Sequence, residues 1–112
     1  MGIIQAEYQL YINYKGERLL GPERIELLFE IQRSGSLRAA SKKLNISYQH
    51  AWTVIDAINQ AASQPVVMMQ RGGNGGGGAS LTSYGERLLD EYASIEKEVN
   101  KFFLQLNTEL NL

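Results

Sequence analysis

The sequence predicts a mainly α-helical fold with a small β-hairpin, followed by a long C-terminal helix. Several segments carry apolar residues at helical spacing, and short stretches alternate in the manner of strands. Six of the 11 glycines lie within residues 72–78, where they are expected at the tip of the hairpin. A chain of 112 residues is expected to form one domain, or one domain with an extension. We place the domain, with its N-terminal strand, in residues 1–82 and the helix in residues 83–112.

The first predicted elements are a strand and a helix. Residues 8–14 alternate between two faces, which is typical of a half-buried strand, and Lys15-Gly16-Glu17 is a turn signal that could start a return strand. A helix is expected to begin at Pro22, with Glu23 favourable in its first turn, and to end at Gly35. The spacing predicts an apolar face of Ile25, Leu28, Phe29 and Gln32, with Leu27 and Ile31 flanking.

Two further helices are predicted on either side of a tight turn. Ser36 is positioned to cap a short helix, and Asn45 tolerates the left-handed backbone that a turn requires. Ser47 is positioned to cap the next helix, which covers about residues 47–61. Trp52 lies beside the predicted inner stripe of this helix and is expected to be packed. The stripe consists of Ala51, Val54, Ile55 and Ile58.

A hairpin and a long helix complete the chain. Residues 66–70 and 79–81 are predicted as paired strands around the glycine-rich tip. Thr82 and Ser83 are alternative caps for the last helix, and Ser83 with Glu86 has the spacing of a capping box. Two short helices around a turn, followed by a hairpin, make up the winged helix-turn-helix plan. The hairpin is then the wing.

The distribution of charge changes the meaning of the net charge. The total of −1 argues weakly against a nucleic-acid partner. Residues 33–78, however, hold five cations and one carboxylate, a balance of +4, whereas the rest of the chain sums to −5. The predicted motif and wing therefore form a cationic region between acidic flanks.

This arrangement predicts a surface that binds double-stranded DNA. In the winged helix-turn-helix plan, the start of the second motif helix reaches base edges in the major groove. The candidate base-contacting residues are Ser47, Tyr48, Gln49, His50 and Thr53. The candidate phosphate contacts are Arg38, Lys42 and Lys43 near the first motif helix, with Arg71, Gly72, Gly73 and Asn74 in the wing, whose tip covers residues 71–78.

Structural alternatives stay open for each of these features. The two short helices could be a helical hairpin in a small bundle, and the glycine run could be a passive loop. The cations could form a solvated helix face, and His50 could be exposed without a role. At the level of function, the alternative is a winged-helix module for protein–protein contact that has no specific DNA binding.

The last helix carries more apolar surface than a domain of this size easily covers. It could pack on its own domain, or two chains could pair through it. We expect a homodimer, because a two-fold dimer matches two DNA half-sites about 34 Å apart. The candidate interface residues are Leu88, Tyr92, Ile95, Val99, Phe102 and Phe103.

Composition argues against several other classes of protein. The chain has no cysteine and one histidine, so neither a metal nor a cofactor is expected. The glycine run lacks the lysine of a phosphate-binding loop. The sequence also shows no cluster of acidic and basic residues of the kind that an enzyme's active site requires. No apolar run reaches the roughly 18 residues of a membrane-spanning helix, and no signal peptide is recognisable. A cytoplasmic location is expected.

Residues 20–89 resemble the N-terminal DNA-binding domain of ModE-type molybdate-responsive regulators, which is similar to the winged-helix domain of LysR-type regulators. The stretches that carry the resemblance are Arg24-Ile25, Leu27-Leu28, Ser34-Gly35-Ser36, Ala39-Ala40, Ile46-Ser47-Tyr48, Ala51-Trp52, Ile58-Asn59-Gln60, the glycine-rich run 72–79, Leu81-Thr82, Tyr84-Gly85 and Arg87-Leu88. The resemblance implies a dimeric winged-helix transcriptional regulator in a bacterial cytoplasm.

The chain departs from the family pattern in two ways. Gln49 and Asn74 stand where the family typically has basic residues, and Met69 stands where it has an arginine, so weaker phosphate binding or a different target sequence is expected. The family's molybdate-binding domains follow the winged helix, whereas this sequence ends at Leu112. The resemblance therefore supports DNA binding and does not support molybdate sensing, and it leaves open a separate effector-sensing chain.

Overall fold

The computed structural model describes residues 5–70 and 78–109, and it confirms the predicted fold class. Within these residues, two antiparallel hairpins and four helices form in the predicted order. The elements are β1 (Ile12–Tyr14), β2 (Glu17–Leu20), α1 (Pro22–Ser34), α2 (Leu37–Lys43), α3 (Tyr48–Ala61), β3 (Val67–Met69), β4 (Ala79–Leu81) and α4 (Ser83–Glu109).

The first hairpin has a two-residue turn that sequence reasoning located correctly. Lys15 and Gly16 both have positive φ, 51° and 79°, which matches the right-handed twist of the flanking strands. The predicted strand from Tyr8 is too long, because only Ile12–Tyr14 pairs with β2 and the register shifts after Ile12. The preceding residues follow α4 instead, where the backbone N–H of Ala6 donates to Asn107 Oδ1 at 2.6 Å.

Helix α1 begins and ends at the predicted residues. Pro22 is its first residue, and Gly35 follows it in the left-handed conformation with φ 71°. The carbonyl of Gly35 also accepts a hydrogen bond from Ala79 N at 3.0 Å, so the end of α1 is attached to the wing. Phe29 and Gln32 were expected on the apolar face, but Phe29 is 52% exposed and Gln32 is exposed as well. Each residue turns the helix by about 100°, and the buried face is centred on Leu27, Leu28 and Ile31.

Helix α4 is capped by Thr82, which decides between the two alternatives. Thr82 Oγ1 accepts a hydrogen bond from Gly85 N at 2.9 Å and donates one to Pro65 O at 2.7 Å. Gly85 lies directly against the backbone just before β3, since a Cβ atom added there would be 2.3 Å from Val66 O. The hydroxyl and the glycine together fix the start of α4 on the wing.

The core lies where α1, α2, α3 and the wing meet. Its seven largest fully buried side chains are each less than 2% exposed, which makes their removal from water a main source of stability. These are Leu20, Leu27, Leu28, Ile31, Leu37, Ile58 and Val66. Within the described residues, no helix has the length and apolar character needed to cross a membrane.

Candidate nucleic-acid interface

The helix-turn-helix is built by local hydrogen bonds that its sequence predicts. Ser36 Oγ accepts from Ala39 N at 3.1 Å, and Ser47 Oγ accepts from His50 N at 3.0 Å, so both serines cap the helices that follow them. Asn45 lies in the turn with φ 58°. The predicted caps and turn residue are therefore confirmed, and they set the orientation of α3.

Helix α3 directs the predicted candidates away from the core. Ala51 and Ile58 are fully buried, and Ile55 is 3% exposed. Val54, the fourth member of the predicted stripe, is partly buried and packs against the core. The cap Ser47 is exposed, and so are four residues in the N-terminal half of the helix: Tyr48, Gln49, His50 and Thr53. The structure thus brings all five candidates onto one exposed surface.

Trp52 does not pack as the sequence predicted. Its side chain is 46% exposed, although the residue before it, Ala51, is fully buried. The difference follows from the helical turn of about 100° per residue, which places Trp52 at the edge of the outer face. The described core is filled from α3 by Ala51, Ile55 and Ile58 without the indole. Trp52 therefore belongs to the exposed surface of α3.

His50 is connected to the beginning of α1. Its Nε2 lies 2.9 Å from Glu23 Oε1, and both side chains are more than half exposed. The contact joins the first turn of α3 to the first turn of α1. Sequence reasoning did not identify Glu23 as a neighbour of this surface, because the two residues are 27 positions apart.

The cations near α2 differ in how they are paired. Arg33 forms a salt bridge with Glu30 at 2.7 Å, so its positive charge is balanced by a carboxylate on its own helix, α1. The guanidinium of Arg38 lies 4.8 Å from the ring centroid of Tyr48, a cation–π contact between α2 and α3. Lys42 and Lys43 are exposed. In the described part of the chain, no carboxylate oxygen lies within 4.0 Å of Arg38, Lys42 or Lys43.

The wing is attached to α3 by one amide side chain. Asn59 Oδ1 accepts hydrogen bonds from Val66 N at 2.8 Å and Val67 N at 3.1 Å, and its Nδ2 donates to Val67 O at 3.1 Å. The hairpin closes where Gln70 N donates to Gly78 O at 2.7 Å. Four candidates in the wing tip lie outside the described residues: Arg71, Gly72, Gly73 and Asn74.

The apolar face of α4 is divided between its own domain and the surface. Tyr92 is 3% exposed, and its hydroxyl donates to Leu10 O at 2.8 Å. Burial, with the Glu96 carboxylate as a smaller contribution, raises the pKa of Tyr92 above its ordinary value, which favours the protonated form that donates this hydrogen bond. Leu88 packs against the same core. These two candidates thus serve their own chain, although they were placed in the predicted dimer interface.

The remaining candidates of α4 lie further along the helix. Phe103 packs on Tyr8, with ring centroids 4.6 Å apart, and Val99 is half-buried. Ile95 is 43% exposed and Phe102 is 59% exposed. Sequence spacing missed Leu104, which is 68% exposed and follows the two phenylalanines. On α4, the large apolar side chains that stay exposed therefore lie between Ile95 and Leu104.

The geometry defines the class of protein as a winged helix-turn-helix protein. Two solved structures share the fold, although identities this low show the fold alone. VV2_1132, a LysR family transcriptional regulator, aligns with a TM-score of 0.54 at 17% identity over 70% of this chain and 25% of its own. ArgP from Mycobacterium tuberculosis aligns with a TM-score of 0.51 at 20% identity over 71% of this chain and 29% of its own.

Sequence comparison confirms the resemblance to ModE-type regulators. The molybdenum-pterin-binding protein MopB of Rhodobacter capsulatus is 42% identical over 83% of this chain. The transcriptional regulator ModE of Haemophilus influenzae is 37% identical over 93% of it, and the DNA-binding transcriptional dual regulator ModE of Escherichia coli is 39% identical over 89%. The chain spans only 34%, 41% and 38% of these relatives. No family model matches the chain.

Proposed function

We propose that this protein is a sequence-specific DNA-binding transcriptional regulator of a bacterial cytoplasm, without catalytic activity. The observation that carries the proposal is the exposed N-terminal half of α3, whose buried stripe directs Gln49, His50 and Thr53 outward. A glutamine side chain pairs with adenine through two hydrogen bonds, and hydroxyls contact bases or phosphates. The names of the ModE relatives agree with this role.

In this proposal, α3 enters the major groove and its neighbours bind the phosphate backbone. Arg38, Lys42 and Lys43 supply cations at the helix that crosses the backbone in this motif. Arg38 also holds Tyr48 by its cation–π contact, which connects a phosphate-binding group to the base-contacting helix. We assign the wing tip, with Arg71 and the glycines 72 and 73, to the backbone or the minor groove, together with Asn74.

We also propose that the chain acts as a homodimer. Helix α4 has 27 residues and therefore extends about 40 Å at 1.5 Å per residue. Ile95 and Phe102 are seven positions apart on one face of this helix and leave apolar surface exposed, which a second copy of the helix would cover. A separate effector-sensing chain is the additional partner that the proposal allows.

Replacing Phe102 with glutamate tests the homodimer. We expect Phe102→Glu to shift the protein from dimer to monomer in analytical ultracentrifugation, because a carboxylate would lose its hydration in an apolar interface. The melting temperature should stay close to that of the unmodified protein at a concentration where both are monomeric, since Phe102 is 59% exposed in the single chain.

The matched control for this experiment is Phe29→Glu on α1. Phe29 is an exposed phenylalanine that lies outside α4, so its replacement should leave the dimer intact. A Phe102→Glu protein that dimerises as strongly as the Phe29→Glu protein would contradict the assigned interface.

Selection from a random DNA pool tests the function itself. Duplexes that the protein retains at about 0.15 M salt should converge on one sequence after several rounds, and a homodimer should yield two related half-sites. Retention without convergence would show non-specific binding only. Failure to bind any duplex at low salt would refute the proposal and favour a winged-helix module for protein–protein contact.

A further inference from the structure

The exposed indole of Trp52 is the feature of α3 that the proposed contacts leave unexplained. Trp52 is 46% exposed and presents a large apolar ring to water, although its neighbours on the core side of α3, Ala51 and Ile55, are buried. It lies one helical turn after Tyr48, which is 38% exposed. The two rings therefore form an aromatic edge on α3 beside Gln49 and Thr53.

The composition of α3 limits what this edge can recognise. Tyr48–Ala61 contains no arginine or lysine, the residues that most often contact guanine in the major groove. The apolar group that a base presents in the major groove is the C5-methyl of thymine. An indole ring offers a wide apolar face to such a methyl. Its one polar group, the Nε1–H, can donate a hydrogen bond but cannot accept one.

We propose that Trp52 is a specificity-determining residue that packs on the C5-methyl of a thymine in the major groove. The inference rests on the proposed DNA-binding function and deepens it by naming a base group that α3 recognises. DNA is favoured as the occupant because the indole is continuous with the exposed candidates of the same helix, Gln49 and Thr53. The guanidinium of Arg38, placed against Tyr48, adds a cation at the end of this edge that suits the neighbouring phosphates.

Deoxyuridine substitution removes only the methyl group and therefore tests this contact directly. Each thymine of a duplex selected by the protein is replaced in turn by deoxyuridine in one half-site, and the Kd is measured by fluorescence anisotropy. We expect one position at which the substitution weakens binding about fourfold, the effect of losing the burial of one methyl-sized group. The Trp52→Ala protein should bind the thymine and deoxyuridine duplexes at this position equally.

Two further variants make the result specific to the ring. Trp52→Phe should keep part of the thymine preference, because it keeps an apolar ring of smaller area. Phe29→Ala removes a similarly exposed ring from α1 and should keep the full fourfold preference. The melting temperature of Trp52→Ala should match that of the unmodified protein, which confirms that any change in affinity is not a change in folding.

The possible failures are distinguishable from failure of the proposed function. If the protein selects no DNA sequence, the proposed function falls. If it selects a sequence but tolerates deoxyuridine at every thymine, or if the sequence has no thymine, the inference about Trp52 is wrong. It is also wrong if Trp52→Ala retains the fourfold thymine preference or binds the selected duplex as tightly as the unmodified protein.

Discussion

Replacing both Lys42 and Lys43 with alanine is expected to weaken DNA binding about thirtyfold, if each phosphate contact contributes roughly 1 kcal/mol. Both side chains are exposed at the end of α2, so their loss should not disturb the core. Because phosphate contacts release counterions, the slope of log affinity against log salt should fall by about 1.8 in magnitude. Fluorescence anisotropy over a range of salt concentrations measures both quantities.

The effect should be the same for every duplex, since phosphates carry no sequence information. The Gln49→Ala protein should differ, with its preference changed at one base position and its salt slope retained. Replacing Lys97 and Lys101, which lie on α4, removes the same charge at a distance from the motif and should change the slope little. If the α2 and α4 double variants lose equal affinity, the assignment of phosphate contacts to α2 is wrong.

Replacing Asn59 with alanine is expected to lower the free energy of unfolding by about 2 to 4 kcal/mol, because backbone groups of β3 would lose their partners. The three hydrogen bonds of this side chain connect α3 to Val66 and Val67. The melting temperature should fall by more than about 10 °C in a domain of this size. Circular dichroism followed through thermal unfolding measures the change.

Gln60→Ala is the matched control for Asn59. Gln60 follows directly in the sequence, is exposed, and bonds only to Asp56 among the described contacts, at 2.8 Å. Its replacement should alter stability by less than about 0.5 kcal/mol. If the Asn59→Ala and Gln60→Ala proteins have the same melting temperature, the wing is held by other contacts.

The local elements were predictable because short-range chemistry specifies them. The caps at Ser36 and Ser47 and the left-handed residues Gly35 and Asn45 depend on neighbours within three or four positions. The element order followed from hydrophobic periodicity in the same way. The described candidates of α3 also lie on one surface for this reason, since a helix that buries one stripe must expose the opposite one.

The errors concern side chains whose surroundings are set by tertiary packing. Trp52 and Phe29 are apolar and lie near the buried stripes, yet both are exposed because smaller or better-placed neighbours fill the core. The contact between Glu23 and His50 joins two helices that sequence spacing does not relate. The path of residues 5–11 along α4 likewise depends on partners about 80 to 100 positions away.

The most direct test of the central claim compares a selected duplex with a scrambled duplex of the same composition at increasing salt. If α3 recognises bases while the surrounding cations bind phosphates, both affinities should fall with similar slopes, and the selected duplex should bind about 1000-fold or more tightly at physiological salt. Equal affinities for the two duplexes, or binding that does not change with salt, would contradict this account.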